Sequence, residues 1–165
     1  MAIVQKENKV LRQKAQEVLL EEIRSKKIKN IITLMKKALL QSKDGVALAA
    51  PQIGESVRIF IAKDPPLHSA KEGPLRPPMV FINPVIKKIS KKKLVVHEGC
   101  LSVEGIYGTI KRSEKLTIKA YDENGKKFFR GVSGLLSQII QHEMDHLDGV
   151  LFVDKAIRLE KYAKQ

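Results

Sequence analysis

The sequence predicts a single α+β domain, and three observations carry that expectation. Strand-like and helix-like segments do not alternate regularly, which argues against a doubly wound sheet. No repeat or long linker divides the 165 residues, of which 43% are hydrophobic, so one chain-long unit with a real core is expected. A late helix also turns a stripe of apolar residues and chemically reactive side chains to one side, which places a site against that core.

Taken in order, Ile28, Ile31, Ile32, Met35 and Leu39 recur at helical spacing between Ser25 and Ser42, with Ser25 as N-cap. Asp44 to Gly54 holds two glycines, a proline and clustered alanines, too irregular for a helix and too apolar for a free loop. Val57 to Lys63, Met79 to Ile89 and Lys93 to His97 read as strands. Between the first two, Asp64 to Pro78 carries five of the seven prolines and is expected to be a loop, with His68 exposed. Leu116, Ile118 and Ala120 alternate with polar residues; Asn124-Gly125 supplies a hairpin turn, and Lys126 to Arg130 returns. A helix then runs from about Gly134 to Asp148, with Ser133 as N-cap and Gly149 stopping it. Val150 to Gln165 reads as a short strand followed by a short basic helix, a basic tail from about residue 154.

The late helix contains Gln141-His142-Glu143-Met144-Asp145-His146, an H-E-x-x-H pattern. A four-residue step is one helical turn plus about 40°, so both imidazoles project to one side and can share a divalent ion. Glu143 sits beside them, placed to handle a proton of a water that the ion makes acidic. Leu135, Ile139, His142 and His146 form one stripe, and Leu136, Ile140, Glu143 and Leu147 the adjoining one. Two histidines and a carboxylate on a core-facing stripe are costly without a partner, which favours a metal over plain core histidines.

A catalytic site of this type uses a third protein ligand. Downstream of His146 the acidic candidates are Asp148, Asp154 and Glu160, none on a second long helix. Upstream, Glu98-Gly99-Cys100-Leu101-Ser102 follows a strand, and a Cys100 thiolate suits Zn²⁺ or Fe²⁺. Cys100 is therefore the better candidate, although a lone cysteine is more often buried filler.

The net charge of +13, from 31 Lys+Arg against 18 Asp+Glu, makes a polyanion partner conceivable. The lysines are scattered, however, and no tract alternates them with aromatics, so the sequence predicts a solvated basic surface and no dedicated DNA binding. No apolar run approaches the length of a membrane span, and Met1 to Val10 carries no signal-peptide pattern. One cysteine excludes an intrachain disulfide, and a cytoplasmic location is expected.

Three segments, in order and at similar separations, resemble peptide deformylase: Gly45-Val46-Ala47-Leu48-Ala49-Ala50-Pro51-Gln52, Glu98-Gly99-Cys100-Leu101-Ser102, and Gln141-His142-Glu143-Met144-Asp145-His146-Leu147-Asp148-Gly149. The resemblance implies antiparallel or mixed β-sheets packed around a central helix carrying H-E-x-x-H. It implies an enzyme that removes the formyl group from the formyl-methionine of new polypeptides. Cys100, His142 and His146 would hold one divalent ion, Fe²⁺ in the cell with Zn²⁺ or Ni²⁺ as substitutes. Glu143 would be the general base and then acid, while Gln52 and the Leu101 N–H would face the developing oxyanion. Gly45, Ala47, Gly99 and Tyr107 would border the substrate, and Arg112 would pair with Asp145 behind the ligands. Ala47 and Glu104 depart from the family pattern, which commonly has glycine and proline there. If position 47 required a left-handed backbone, the methyl would cost about 1 kcal/mol. Tyr107-Gly108 lies where many relatives carry an arginine. His97 is expected to be structural or exposed. A second reading is a weakly active or inactive metal-binding relative. A third is ribosome association through the basic surface or through Lys155, Arg158, Lys161 and Lys164.

Overall fold

The computed structural model describes residues 3–63 and 77–161. The expected Pro-rich loop, with His68, lies outside the described residues except for Pro77 and Pro78. Helix α1 spans Lys26–Gln41 and α2 spans Gly134–Leu147. The strands are β1 (Ala47–Ala49), β2 (Ile59–Ala62), β3 (Met79–Ile89), β4 (Lys93–Cys100), β5 (Val103–Ser113), β6 (Lys115–Tyr121), β7 (Lys127–Ser133) and β8 (Arg158–Lys161). They form a five-stranded sheet in the order β1-β2-β3-β6-β7 and a three-stranded sheet β4-β5-β8, with every strand pair antiparallel. The chain is α+β, as expected.

The five-stranded sheet is covered on both faces near its start, and the two-residue period of a strand explains why. Ile59 and Ile61 of β2 pack with Leu48, Val80 and Ile82 against the apolar face of α1. The intervening Phe60 and Ala62 turn the other way, joining Ala47, Ala49, Phe81, Leu116, Ile118 and Ala120 under Ile139, Ile140 and Leu147 of α2. Four alanines on that second face leave room for a helix that must come close. Phe60 stacks on Phe81 with ring centroids 4.4 Å apart, and Phe81 meets Phe128 edge-on at 5.5 Å. A third cluster, Leu11, Val103, Ile110, Leu151 and Phe152, sits against the smaller sheet. Helix α2 touches β1, β2, β6 and β7 as well as β5, so it is wedged between the sheets.

Ser25 caps α1 as expected, its Oγ accepting from the Ile28 N–H at 3.3 Å. Ser133 precedes α2, but its side chain makes no capping bond. The other end of α2 is held firmly: buried Arg58 donates to the Leu147 carbonyl at 3.2 Å and to Asp148 Oδ1 at 2.7 Å, satisfying a terminal carbonyl and placing a cation at the negative end of the helix. Gln141 anchors its middle. Its amide accepts from the Ser113 N–H and donates to the Ser113 carbonyl, both at 2.9 Å, imitating a strand partner at the end of β5.

Two expectations are corrected. The tail holds a 3₁₀ turn at Phe152–Asp154 and then strand β8, paired with Ile106–Thr109 of β5, where a basic helix was expected. β5 itself, eleven residues long, carried no strand expectation, and β4 continues beyond His97 to Cys100. Among the described residues, no helix is long and apolar enough to cross a membrane.

The turn after α2 uses Gly149 at φ +75°, and a Cβ there would lie 2.9 Å from the Arg12 backbone. Gly54 has φ +88° but open space around it. Gly54→Ala should therefore cost about 1–2 kcal/mol from conformation alone. Gly149→Ala should cost clearly more, a ranking that urea denaturation of the two variants checks.

Candidate metal centre

Strand β4 and helix α2 meet at the three expected donors. One ligand atom from each of Cys100, His142 and His146 lies within 4.8 Å of the others, and Cys100 Sγ is 3.2 Å from His146 Nε2. The His142 and His146 rings stand edge to face, centroids 5.0 Å apart, as the one-turn spacing requires. His142 turns its Nδ1 away from this point, to Glu98 Oε2 at 2.9 Å, leaving Nε2 for the cluster. A thiol and two imidazoles converging from a rigid strand and a rigid helix are the donor set that Zn²⁺ or Fe²⁺ accepts.

Behind His142 lies a chain of alternating charge. Arg112 grips Glu98 through two bonds, Nε–Oε1 at 2.7 Å and Nη2–Oε2 at 2.9 Å, and reaches Asp145 Oδ2 through Nη1 at 2.6 Å. Lys155 closes the chain on Asp145 Oδ1 at 2.5 Å. The Glu98 and Arg112 side chains are only 3% and 5% exposed, so neither could be ionised in this place without the other. The expected Arg112–Asp145 pair is present, and the sequence reading missed Glu98 as its centre. The two-residue step from Glu98 to Cys100 carries that signal once β4 is known to run on to Cys100, since both then face the same way.

The electrostatics push the two imidazoles in opposite directions. Burial opposes protonation of His142, but hydrogen bonds to Cys100 and Glu98 outweigh it and hold His142 well above the ordinary histidine range. Burial, aided by the charge on His142, keeps His146 well below that range. Burial also works against ionised Glu98, yet the bonds from Arg112 and His142 bring it down to about 2. Glu143 is pushed up to about 7, chiefly by burial. Among the described residues, two buried side-chain polar atoms lack a hydrogen-bond partner, Glu143 Oε2 and His146 Nδ1, and both are here. Unsatisfied buried groups concentrated at one point mark a place built for something other than protein. The residues fit a divalent cation with a polar reactant beside it.

The centre opens into a pocket of about 910 Å³. Gln52, Leu101, Gly45, Ala47, Gly99, Tyr107, Glu104 and His97 all line it, as do His142 and Glu143, while Arg112 and Asp145 stand behind the wall. Gln52 is fully clamped: its Oε1 accepts from the Ala49 N–H at 2.8 Å, and its Nε2 points to Ser102 Oγ at 3.2 Å and Cys100 Sγ at 3.6 Å. The Leu101 carbonyl is held by Gln5 Nε2 at 3.1 Å, which fixes that peptide segment on the pocket wall. Neither Ser102 nor Gln5 was singled out from sequence. Gly99 pairs with Tyr107, and a Cβ at position 99 would fall 2.7 Å from the tyrosine ring, so Tyr107 lies over a glycine floor. Ala47 sits in β1, and Asn83 is the only non-glycine described residue with positive φ, so the conformational cost considered for Ala47 does not arise.

The polypeptide deformylase family model matches residues 1–162. The chain belongs to the polypeptide deformylase family. It is 40% identical over 164 residues to a peptide deformylase of Picosynechococcus, covering 96% of this chain and 81% of that one. A peptide deformylase of Desulforudis audaxviator is 37% identical over 161 residues, covering 96% and 95%. In three dimensions it is similar to a Synechococcus elongatus peptide deformylase solved in complex with actinonin, at a TM-score of 0.81 and 35% identity over 96% of this chain and 79% of that one. Family members are metalloenzymes that remove N-formyl groups from nascent polypeptides.

Glu98→Ala should leave the buried Arg112 with Asp145 as its one remaining named carboxylate partner and free His142 to turn. The expected result is a loss of about 3–5 kcal/mol in chemical denaturation, with metal affinity lower by ~10–100-fold in a chelator competition.

Proposed function

We propose that this chain, acting as one catalytic unit, hydrolyses the formyl amide at the N-terminal formyl-methionine of new polypeptides and releases formate. The observation that carries this is the unpartnered, buried Glu143 Oε2 on the pocket wall that Cys100 and His142 also line, with the His146 donor within 4.8 Å of those of Cys100 and His142. Those three residues would hold one divalent ion, Fe²⁺ in the cell with Zn²⁺ or Ni²⁺ able to substitute. When bound, the ion would supply Lewis acidity that lowers the pKa of water toward neutrality.

The chain's own residues do the rest. Glu143 takes a proton from the attacking water as oxygen bonds to the formyl carbon. Negative charge then develops on the former carbonyl oxygen, where the Gln52 amide and the Leu101 N–H act as donors. Because Ala49 and Ser102 hold the Gln52 amide in place, only its weak contact with Cys100 Sγ at 3.6 Å has to be given up for it to donate to that charge. The carbon–nitrogen bond breaks, Glu143 delivers its proton to the departing amine, and formate and a free N-terminus result. Val46, Leu135 and Ile139 give the pocket an apolar wall suited to a methionine side chain. Gly45, Ala47, Gly99 and Tyr107 would border the peptide backbone.

Work on nascent chains implies a cytoplasmic enzyme beside ribosomes. Lys155 and Arg158, with Lys161 at the end of β8, give the basic tail a charge suited to that neighbourhood.

Formyl-Met peptide turnover, read as formate after anaerobic Fe²⁺ or Ni²⁺ loading, tests the reading, and absence of formate from the loaded protein would refute it. Glu143→Gln should lower turnover by about 10²–10⁴-fold while the protein retains its metal. Gln52→Ala should lower kcat by about 10²–10³-fold with metal content unchanged. A chelator should abolish formate release, and re-addition of Fe²⁺ should restore it.

A further inference from the structure

The outer half of the five-stranded sheet carries an exposed face that the hydrolytic site does not use. Register places Phe129 of β7, Lys119 of β6 and Val85 of β3 side by side, with Gly131, Thr117 and Lys88 forming the next row and Lys115 beside Ser133 beyond it. Phe129 is 60% exposed, whereas its neighbour Phe128 turns inward onto Phe81. The alternation of β7 therefore sends one aromatic ring into the core and the next into water. A Cβ at Gly131 would meet nothing within 4 Å, so the sheet beside the ring is flat and open. Further along the same strands, at their end beyond Phe129, an open groove of about 550 Å³ is lined by Lys88, Lys115 and Gly131 together with Ile89, Leu116 and Val132 of the alternate positions.

The charge on this part of the fold has one sign. β3, β6 and β7 contain six basic residues and no Asp or Glu, and α1, which covers the other end of the same sheet face, has five lysines and no acid. The acids of the flanking turns already have partners: Glu114 with Lys92, Glu123 with Lys36, and Asp122 with the backbone of its own turn. No stretch of sequence interleaves lysines with aromatics. The cross-strand register does so, setting Lys88, Lys115, Lys119 and Lys127 around a single exposed ring.

We propose that this sheet face binds single-stranded RNA, one base stacking on Phe129 while phosphates lie along Lys88, Lys115, Lys119 and Lys127. An exposed ring on an open, lysine-framed sheet recognises an unpaired base by its π-face and the backbone by charge. A duplex has no unpaired base to offer, and an acidic peptide or anionic membrane would use the lysines without needing the ring. RNA is favoured over DNA because the family works on nascent polypeptides, which are made beside RNA. The surface is separate from the hydrolytic pocket, and its function does not depend on turnover.

Fluorescence anisotropy of the full chain with a short, unstructured, labelled oligoribonucleotide is the test. Phe129→Ser should weaken binding about tenfold with the salt dependence unchanged, and Phe129→Tyr should keep it. Lys88→Gln with Lys119→Gln and Lys127→Gln should weaken binding and flatten the dependence of affinity on salt, the slope falling by ~0.7 for each phosphate no longer neutralised. Formate release from a formyl-Met peptide should be the same in all of these variants. The proposal is overturned if Phe129→Ser binds as the parent does, or if Lys91→Gln with Lys93→Gln, in the β3–β4 turn and at the start of β4, has the same effect as the sheet lysines. It is equally overturned if duplex RNA, polyglutamate or phosphatidylserine vesicles bind with equal or greater affinity.

Discussion

The two-bond grip of Arg112 on Glu98 is the interaction on which the site depends. It joins neighbouring strands of the smaller sheet, and through His142 and Asp145 it also joins that sheet to α2. A carboxylate alone at that depth would lose its charge or its place. With Arg112 on one side and His142 on the other it stays ionised, accepts from His142 Nδ1 and so decides which ring nitrogen faces Cys100. The imidazole orientation is thus set before any ion arrives, by a hydrogen-bond partner of the kind that metal-ligating histidines regularly use.

That arrangement is possible because the larger sheet lets α2 come close. Ala47, Ala49 and Ala62 present small side chains where the helix crosses β1 and β2, while the large Phe60 and Phe81 fill the space further along. Arg58 holds the end of the helix and Gln141 its middle, the latter by bonding to Ser113, the residue after Arg112. The same short piece of β5 therefore supplies both the cation behind His142 and the backbone that fixes the helix bearing it. Helix register and ligand orientation have a common reference point.

Much of this was legible in the sequence because the relevant signals are local. The periodicity of α1, its Ser25 cap, the Asn124-Gly125 hairpin and the H-E-x-x-H step each depend on residues within a few positions of one another. β5 was not legible, because its buried positions include Gly108 and Arg112. At the first, Phe152, Ala156 and Leu159 fill the space an apolar side chain would take; at the second, the buried group is a cation whose partners lie elsewhere. β8 was missed for a related reason: a short basic segment becomes a strand when a free edge of β5 is available to pair with it, which no local pattern records. In the site, Cys100, His142, Glu143 and His146 could be named from motif and spacing. Glu98 and Gln141 stood inside the same motifs, and their roles depend on contacts across the fold.

The chain has one cysteine, and it comes from a strand 42 residues before His142 on the helix. A disulfide is therefore excluded as a means of tying the two sheets and α2 together. An ion shared by Cys100, His142 and His146 would perform that task by another route, as a cross-link closing a long loop. Held only by the folded chain, such a link would stabilise it through the free energy of metal binding. It also couples metal affinity to completion of the fold, because the donors are brought together only when α2 has docked. The metal centre would then be a staple as well as a reaction centre, and release of the ion would loosen the same helix that the chemistry needs held still.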